Sequence, residues 1–116
     1  MWIFAKHGFL SIVEHKDNSN FLMVRARVAN DIEHYWPDAE VLMTPNADYL
    51  YRTTLPREVV AKRIAQAVKN IDSPQFKPTV APERKPFYLR VFMVMEHMQT
   101  MLAARKIHQP TSSFLQ

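Results

Sequence analysis

The sequence predicts an α+β fold: an antiparallel sheet, ββαββα-like or ferredoxin-like, with helices on one face and an extra C-terminal helix. Three observations support this prediction. In the first half of the chain, apolar residues alternate over short segments, as they do in half-buried strands. Two later segments follow the helical period instead. Their order along the chain fits a meandering sheet covered by helices on one side.

The first three strands follow one another through short turns. Residues 2–4 and 9–14 are expected to form a hairpin, with Gly8 in the tight loop at a positive φ. Residues 21–28 (FLMVRARV) alternate between two faces. One face carries Leu22, Val24, Ala26 and Val28, and the other carries Met23, Arg25 and Arg27.

A short helix and two further strands come next. Asn30 or Asp31 is expected to cap a helix that ends at Trp36, because a proline follows. Residues 40–43 are expected to form a strand. Residues 49–55 (YLYRTTL) are rich in aromatic and β-branched side chains, which predicts another strand.

Two longer helices complete the fold. Pro56 is expected to open a helix that reaches about residue 70, since its apolar side chains share one face. A connector over residues 72–85 contains three prolines and leads to the last helix, from Pro86 to about residue 107.

The last helix carries more apolar side chains than packing on one sheet face requires. Its first stripe consists of Phe87, Val91, Val94, Met98 and Met101. A second stripe consists of Tyr88, Phe92, Met95 and Leu102. In one interpretation the helix is enclosed between the sheet and the preceding helix. In the other, the second stripe is an interface for a partner protein or for a second copy in a homodimer.

The composition bounds the protein's class. A chain of 116 residues that is 47% hydrophobic and 22% charged is typical of one globular domain, expected over residues 1–108 with a flexible tail over residues 109–116. The lack of cysteine excludes disulfides, thiol nucleophiles and Cys-ligated metals. A single glycine excludes glycine-rich phosphate loops and glycine nucleophile elbows.

Compartment and charge give weaker indications. Lys6 and His7 interrupt the N-terminal apolar run, so we expect no signal peptide, a cytoplasmic protein and no membrane partner. Residues 1–51 have four Lys or Arg and seven Asp or Glu, a net −3. Residues 52–116 have eleven and four, a net +7. This basic half is expected to attract nucleic acid or an acidic protein, or else simply to solvate helix surfaces.

A polar and aromatic cluster is the candidate binding site. It consists of Arg25, Arg27, Asp48, Tyr49, Tyr51 and Arg52. Tyrosines and arginines on an open sheet face can stack on bases and contact phosphates, so nucleic acid or a small anion is a candidate ligand. The alternative is cross-strand packing, with Arg52 paired to Asp48 or Glu40.

The sequence gives little indication of catalysis or of metal or cofactor binding. The five histidines lack the spacing of a metal site, and no cofactor motif is present, so we expect no bound metal and no cofactor. Asp38, Glu40 and Asp48 flank the loop before the strand at 49–55 and are candidates for an acid–base pair. Such carboxylates more often cap turns, so we expect no catalytic residues.

Several motifs are distributed over the first hundred residues. They are MWIF and HGFLS near the start, then LMVRAR, TPNADYLYR, LPREVV and NIDSPQFK. In their order they resemble an uncharacterised family of short proteins in bacteria and their mobile elements, over residues 1–100. The resemblance implies a shared compact fold, no reaction, and a fixed site around Arg25, Arg27, Asp48, Tyr49 and Arg52. After residue 108 the chain departs from that pattern.

Three functional hypotheses follow. The first is a small non-enzymatic binding or regulatory protein that acts through protein contacts, a class that includes mobile-element inhibitors of the anti-CRISPR or anti-defence type. The second is a module that binds nucleic acid or a small anion on the arginine-bearing sheet face. The third is a small enzyme centred on Asp48 with Tyr49 or a nearby histidine.

Overall fold

The computed structural model describes residues 1–107, so the predicted tail over residues 109–116 lies outside the described residues. The α+β fold with its C-terminal helix is confirmed. The chain divides after Val80 into two compact units, which are described separately below. The single domain over residues 1–108 stays a prediction.

The first unit contains a five-stranded antiparallel sheet. Its spatial order is β1-β2-β3-β5-β4, so the first three strands form a meander and β5 joins its third strand. A short helix α1 precedes β4, and α2 follows β5 directly. The elements are β1 (Trp2–Ala5), β2 (Gly8–Glu14), β3 (Phe21–Ala26), α1 (Asp31–Tyr35), β4 (Leu42–Met43), β5 (Tyr51–Pro56), α2 (Arg57–Lys69) and a 3₁₀ turn (Lys77–Thr79).

The core lies between one face of the sheet and the helices α1 and α2. Val24 of β3 pairs with Ile12 of β2 and Thr53 of β5, so these side chains share the face toward the helices. Burying one large aliphatic side chain completely contributes roughly 1.5–3 kcal/mol. The buried apolar residues of this core are Leu10, Ile12, Val24, Ala26, Ile32, Tyr35, Trp36 and Val60.

The predicted alternation of β3 is confirmed within the strand itself. Leu22, Val24 and Ala26 pack in or against the core, whereas Arg25 points to the opposite side, which we call the outer face of the sheet. The strand ends at Ala26, earlier than expected, so Val28 lies beyond it and is 51% exposed.

Gly8 does not have the predicted positive φ. It is a buried residue of β2, and a Cβ at this position would lie 2.9 Å from Cγ of Asp31. The Oδ2 atom of Asp31 accepts a hydrogen bond of 3.1 Å from the backbone N–H of Phe9. The glycine is therefore needed for the close approach of a buried carboxylate and not for a turn.

Three other boundaries differ from expectation. Asn30 occupies the N-cap of α1 in the left-handed region (φ 74°), but its side chain makes no capping hydrogen bond. The strand expected at 40–43 is limited to Leu42–Met43. Tyr49 lies before β5 and not within it, because its N–H bonds to Oδ1 of Asp48 and the chain still turns there.

The second unit contains a long helix, α3 (Lys85–Ile107). Its 23 residues make it roughly 34 Å long. Within its first stripe, Phe87 is 63% and Val94 is 60% exposed, and the interpretation in which the helix is enclosed stays a prediction. The exposed apolar side chains of α3 are Phe87, Leu89, Phe92, Met93, Val94, Met95, Met98, Met101 and Leu102.

Candidate functional site

Five of the six residues expected to bind a ligand meet on the outer face of the sheet. Arg25 pairs with Arg52 in the β3–β5 register, and the loop before β5 folds next to them. We call this group the arginine cluster, and it comprises Arg25, Arg27, Asp48, Tyr49 and Arg52.

The ring of Tyr49 is the centre of the arginine cluster. The guanidinium carbons of Arg25 and Arg27 lie 4.5 and 4.2 Å from its centroid. Each such cation–π contact contributes about 0.5–2 kcal/mol. Tyr49 is 4% exposed, so its ring offers almost no surface on which a base could stack.

The arginine side chains also fix the loop that precedes β5. Arg52 forms an ion pair of 3.0 Å with Oδ1 of Asp48, and its Nε donates to the carbonyl of Tyr49 at 3.3 Å. Arg27 donates to the carbonyl of Asp48 at 2.7 Å. These contacts match the predicted alternative, in which Arg52 pairs with Asp48. A ligand-binding role for the cluster stays a prediction.

Arg25 connects the cluster to the middle of the sheet. Its Nη2 atom donates to Oγ of Ser11 at 2.7 Å, and Ser11 is 1% exposed. Its Nε atom is buried and has no hydrogen-bond partner in the part of the chain that the structure describes. Three arginines and one aspartate leave the cluster with a net charge of +2, even though each guanidinium contacts a neighbouring group.

Tyr51 lies apart from the arginine cluster. It pairs with Ala26 in the register and packs against the core, on the face opposite Arg25 and Arg52. The prediction that Tyr51 lies beside the arginines is therefore wrong. Strand alternation alone separates residues 51 and 52 onto opposite faces, and that signal was present in the sequence.

The predicted carboxylates do not form one group. The carboxylate of Asp48 is engaged by Arg52, whereas Glu40 contributes its backbone carbonyl, which accepts a 2.9 Å hydrogen bond from Thr53. Asp38 is exposed in the turn that follows α1. Among the described residues, no three His, Asp or Glu side chains converge in a way that could hold a metal ion.

The apolar side chains of α3 form a second candidate surface. Of the predicted interface residues, Phe92, Met95 and Leu102 are 44%, 48% and 46% exposed, and Tyr88 is half-buried. Six exposed side chains share an arc of about 120° on the helix. We call this set the apolar arc, and it comprises Phe87, Val94, Met95, Met98, Met101 and Leu102.

The charges on α3 are mostly basic. The helix contains Lys85, Arg90, Arg105 and Lys106 against Glu96, a net +3 with His97 neutral. Within residues 1–107, no helix combines the length and the apolar character that crossing a membrane requires.

The first unit also contains a pocket of about 590 Å³ that the sequence analysis missed. It lies between β1, the turn after it, α1, α2 and the chain that follows α2. Most of its wall is apolar, and four basic side chains line it as well. We call it the cationic pocket after those four residues, which are Lys6, His7, His34 and Arg63.

The basic side chains of the cationic pocket are close to one another. The rings of His7 and His34 have centroids 4.3 Å apart. Arg63 donates from Nε to the carbonyl of Tyr35 at 2.9 Å, and its guanidinium lies 4.9 Å from the Tyr35 ring centroid. Among the described residues, Arg63 forms no ion pair.

The electrostatics of this pocket are visible in His34. Desolvation lowers the pKa of His34 below its ordinary 6.5, and the positive charges of His7 and Arg63 lower it further. Asp31 acts in the opposite direction, and Lys6 again lowers this pKa. The pocket therefore carries more positive than negative charge around His34.

Sequence reasoning had no pattern with which to find this pocket. Its basic residues come from three separate segments: the turn after β1, α1 and α2. The structure places the ring of His7 beside that of His34, which is 27 positions later in the chain. The available signal was Lys6 next to His7 at the tip of the predicted first hairpin.

No family model, no curated protein and no solved structure matches this chain. The resemblance to short bacterial proteins therefore stays a prediction. The proposal for the function of the protein therefore rests on the protein's own residues.

Proposed function

We propose that the protein is a non-enzymatic binding protein whose α3 helix inserts into an apolar, acid-rimmed groove of a partner protein. The exposure of the apolar arc is the observation that carries this proposal. Phe87 and Val94 are at least 60% exposed, and Met95, Met98, Met101 and Leu102 are between 46% and 51% exposed. Apolar side chains gathered in this way on a soluble protein mark an interaction site.

The distribution of apolar side chains favours a groove over a single flat contact. The seam of a two-helix coiled coil uses about two positions in seven. On α3, Leu89 and Met93 lie outside the apolar arc and are also more than half exposed. A helix bound in a groove is contacted on several sides, which matches this distribution. The methionines of the arc adapt readily to an irregular partner surface.

Charge favours a partner of different composition over a second copy. Arg90 follows Phe87 by one turn and Arg105 follows Leu102 by one turn, and the helix has a net charge of +3. Two copies of α3 would bring excess positive charge together, whereas acidic side chains around a groove would complement it. The narrower identity as an inhibitor of the anti-CRISPR or anti-defence type stays a prediction.

The test compares two matched double variants of the full chain. Val94→Ser with Met98→Ser removes two apolar side chains from the apolar arc, whereas Gln99→Ser with Thr100→Ser changes two polar positions outside it, and neither pair alters the charge of α3. We expect affinity purification from a bacterial lysate to retain one partner on the wild type and on the second variant but not on the first. Retention should also weaken as salt rises, because the proposed rim contacts are ionic.

Site-specific photo-crosslinking identifies the surface in contact. A crosslinker at position 95 is expected to capture that partner, and one at position 99 is expected to capture much less. Light scattering gives the competing result: a stable homodimer that the arc variant dissociates would replace the partner protein with a second copy. A monomer that captures nothing at position 95 would overturn the proposal.

One observation favours a second candidate, nucleic-acid binding on the outer face. Trp2 is 65% exposed and contacts Phe9, whose ring lies 6.4 Å from that of Tyr49 in the arginine cluster. An exposed indole beside a positive cluster can stack on an unpaired base. The internal contacts of the arginines support this candidate less well. A single-stranded oligonucleotide that quenches Trp2 fluorescence at low salt, and fails to do so in Arg27→Gln, would favour it.

A further inference from the structure

We propose that the cationic pocket binds a small organic acid, with its carboxylate at Arg63 and the two histidines and its apolar body along α2. This inference concerns the first unit only and is independent of the partner proposed for α3. It rests on the size of the pocket, on the division of its wall into basic and apolar parts, and on the guanidinium of Arg63, which forms no ion pair within residues 1–107.

The pocket has the size and lining of a small-molecule site. Its volume of about 590 Å³ lies within the range of roughly 300–1,000 Å³ that such sites occupy. Those sites are mostly apolar and contain a few polar groups that fix the orientation of the ligand. The apolar lining of this pocket includes Ile3, Ile64, Ala67, Val68, Ile71 and Phe76.

Arg63 is arranged to receive a carboxylate. The hydrogen bond from its Nε to the carbonyl of Tyr35 and the Tyr35 ring beneath its guanidinium hold the side chain in place. Its two terminal nitrogens make no ion pair among the described residues, so they remain available. Two parallel N–H donors match the two oxygens of a carboxylate.

The two histidines add to the same site. Their rings are 4.3 Å apart, so two protonated imidazoles would repel each other unless an anion lay beside them. The charged groups that act on His34 are His7, Arg63 and Lys6, all positive, and the carboxylate of Asp31. Asp31 is buried and does not line the pocket, so the anion that faces the two rings from the pocket would be the carboxylate of the ligand.

The wall selects a monoanion with an apolar body over a phosphate or a nucleotide. Asp72 also lines the pocket, and its carboxylate would repel a ligand with several negative charges. Apolar contact with Ile64 and Ala67 would stabilise a hydrocarbon chain but not a free inorganic ion. A medium-chain carboxylate satisfies both parts of the wall.

The experiment titrates the full chain with four probes: octanoate, octan-1-ol, acetate and inorganic phosphate. Calorimetry or NMR should show saturable octanoate binding, and each of the other three should bind roughly tenfold or more weakly. Octan-1-ol that binds as well as octanoate would reveal apolar adsorption alone. Acetate or phosphate that binds as well as octanoate would reveal a simple anion site. Either result, or no saturation by octanoate, overturns the proposal.

Substitutions in and beside the cationic pocket test whether octanoate binds there. Arg63→Gln is expected to weaken octanoate binding roughly tenfold, and Arg63→Lys is expected to restore part of it. Lys62→Gln removes the same charge from the neighbouring position on α2, which does not line the pocket, and should leave binding unchanged. His34→Gln provides the same test should Arg63→Gln fail to fold. Octanoate binding that is unchanged in both pocket variants would overturn the proposal.

Discussion

The carboxylate of Asp31 occupies the space that a side chain at Gly8 would need. A Cβ added at Gly8 would lie 2.9 Å from Cγ of Asp31. Asp31 is 2% exposed, and it accepts a hydrogen bond from the N–H of Phe9. A buried carboxylate is costly unless it is hydrogen-bonded, so α1 and β2 have to approach closely at this point. The one glycine of the chain permits that approach.

Gly8→Ala is therefore expected to destabilise the protein by about 1–3 kcal/mol, the usual cost of inserting a methyl group into a packed site. Urea unfolding measures this free energy. Asp31→Ala removes Cγ and Oδ2, two of the three atoms nearest the new Cβ, so the penalty of Gly8→Ala should be smaller in that background. Additive effects of the two substitutions would show that the clash with Asp31 is not the cause.

Tyr49 is expected to hold the arginine cluster together through its ring and not its hydroxyl. Tyr49→Ala removes a ring that is 4% exposed and that two guanidiniums contact, so we expect a loss of about 3 kcal/mol in the free energy of unfolding. Tyr49→Phe keeps the ring and is the matched control, with an expected change below about 1 kcal/mol. Equal losses in the two variants would assign the stabilisation to the hydroxyl.

The periodicity of apolar residues in the sequence predicted the parts of the fold that depend on neighbouring residues in the chain. The alternation of β3 correctly assigned Val24 to the core and Arg25 to the outer face. The contact of Gly8 with Asp31 joins residues far apart in the chain, and no local pattern encodes it. From the local sequence alone a glycine between two predicted strands indicates a turn, which is the commonest local reason for one.

The candidate sites also separate into those formed by residues close in the sequence and those formed by residues far apart in it. Arg52 lies four residues after Asp48, so their ion pair was accessible to sequence reasoning. The cationic pocket brings His7, His34 and Arg63 together from three elements, and only the tertiary arrangement reveals it. For α3, the helical period predicted apolar stripes, but a period does not distinguish a face that is buried from one that is exposed.

The stability of the protein should fall as the pH is lowered from above 6.5, in part because of His34. Its pKa in the folded protein lies below the ordinary 6.5, so the unfolded chain binds a proton there more readily. Stability then rises with pH through that window and levels off above it. In urea unfolding at a series of pH values, His34→Gln should reduce this dependence. Gln99→Asn, at an exposed position of α3, changes no titratable group and should not, and equal slopes in all three proteins would contradict the assignment.

Octanoate binding to the cationic pocket should strengthen as the pH falls through the same window. The carboxylate would counter the positive charges of His7 and Arg63, which lower the pKa of His34, so binding raises that pKa and takes up a proton. Above about pH 5.5 the ligand itself remains ionised, as carboxylates do. Calorimetry in two buffers of different ionisation enthalpy measures this proton uptake. His34→Gln should flatten the pH dependence, whereas proton release on binding would contradict the proposed position of the carboxylate.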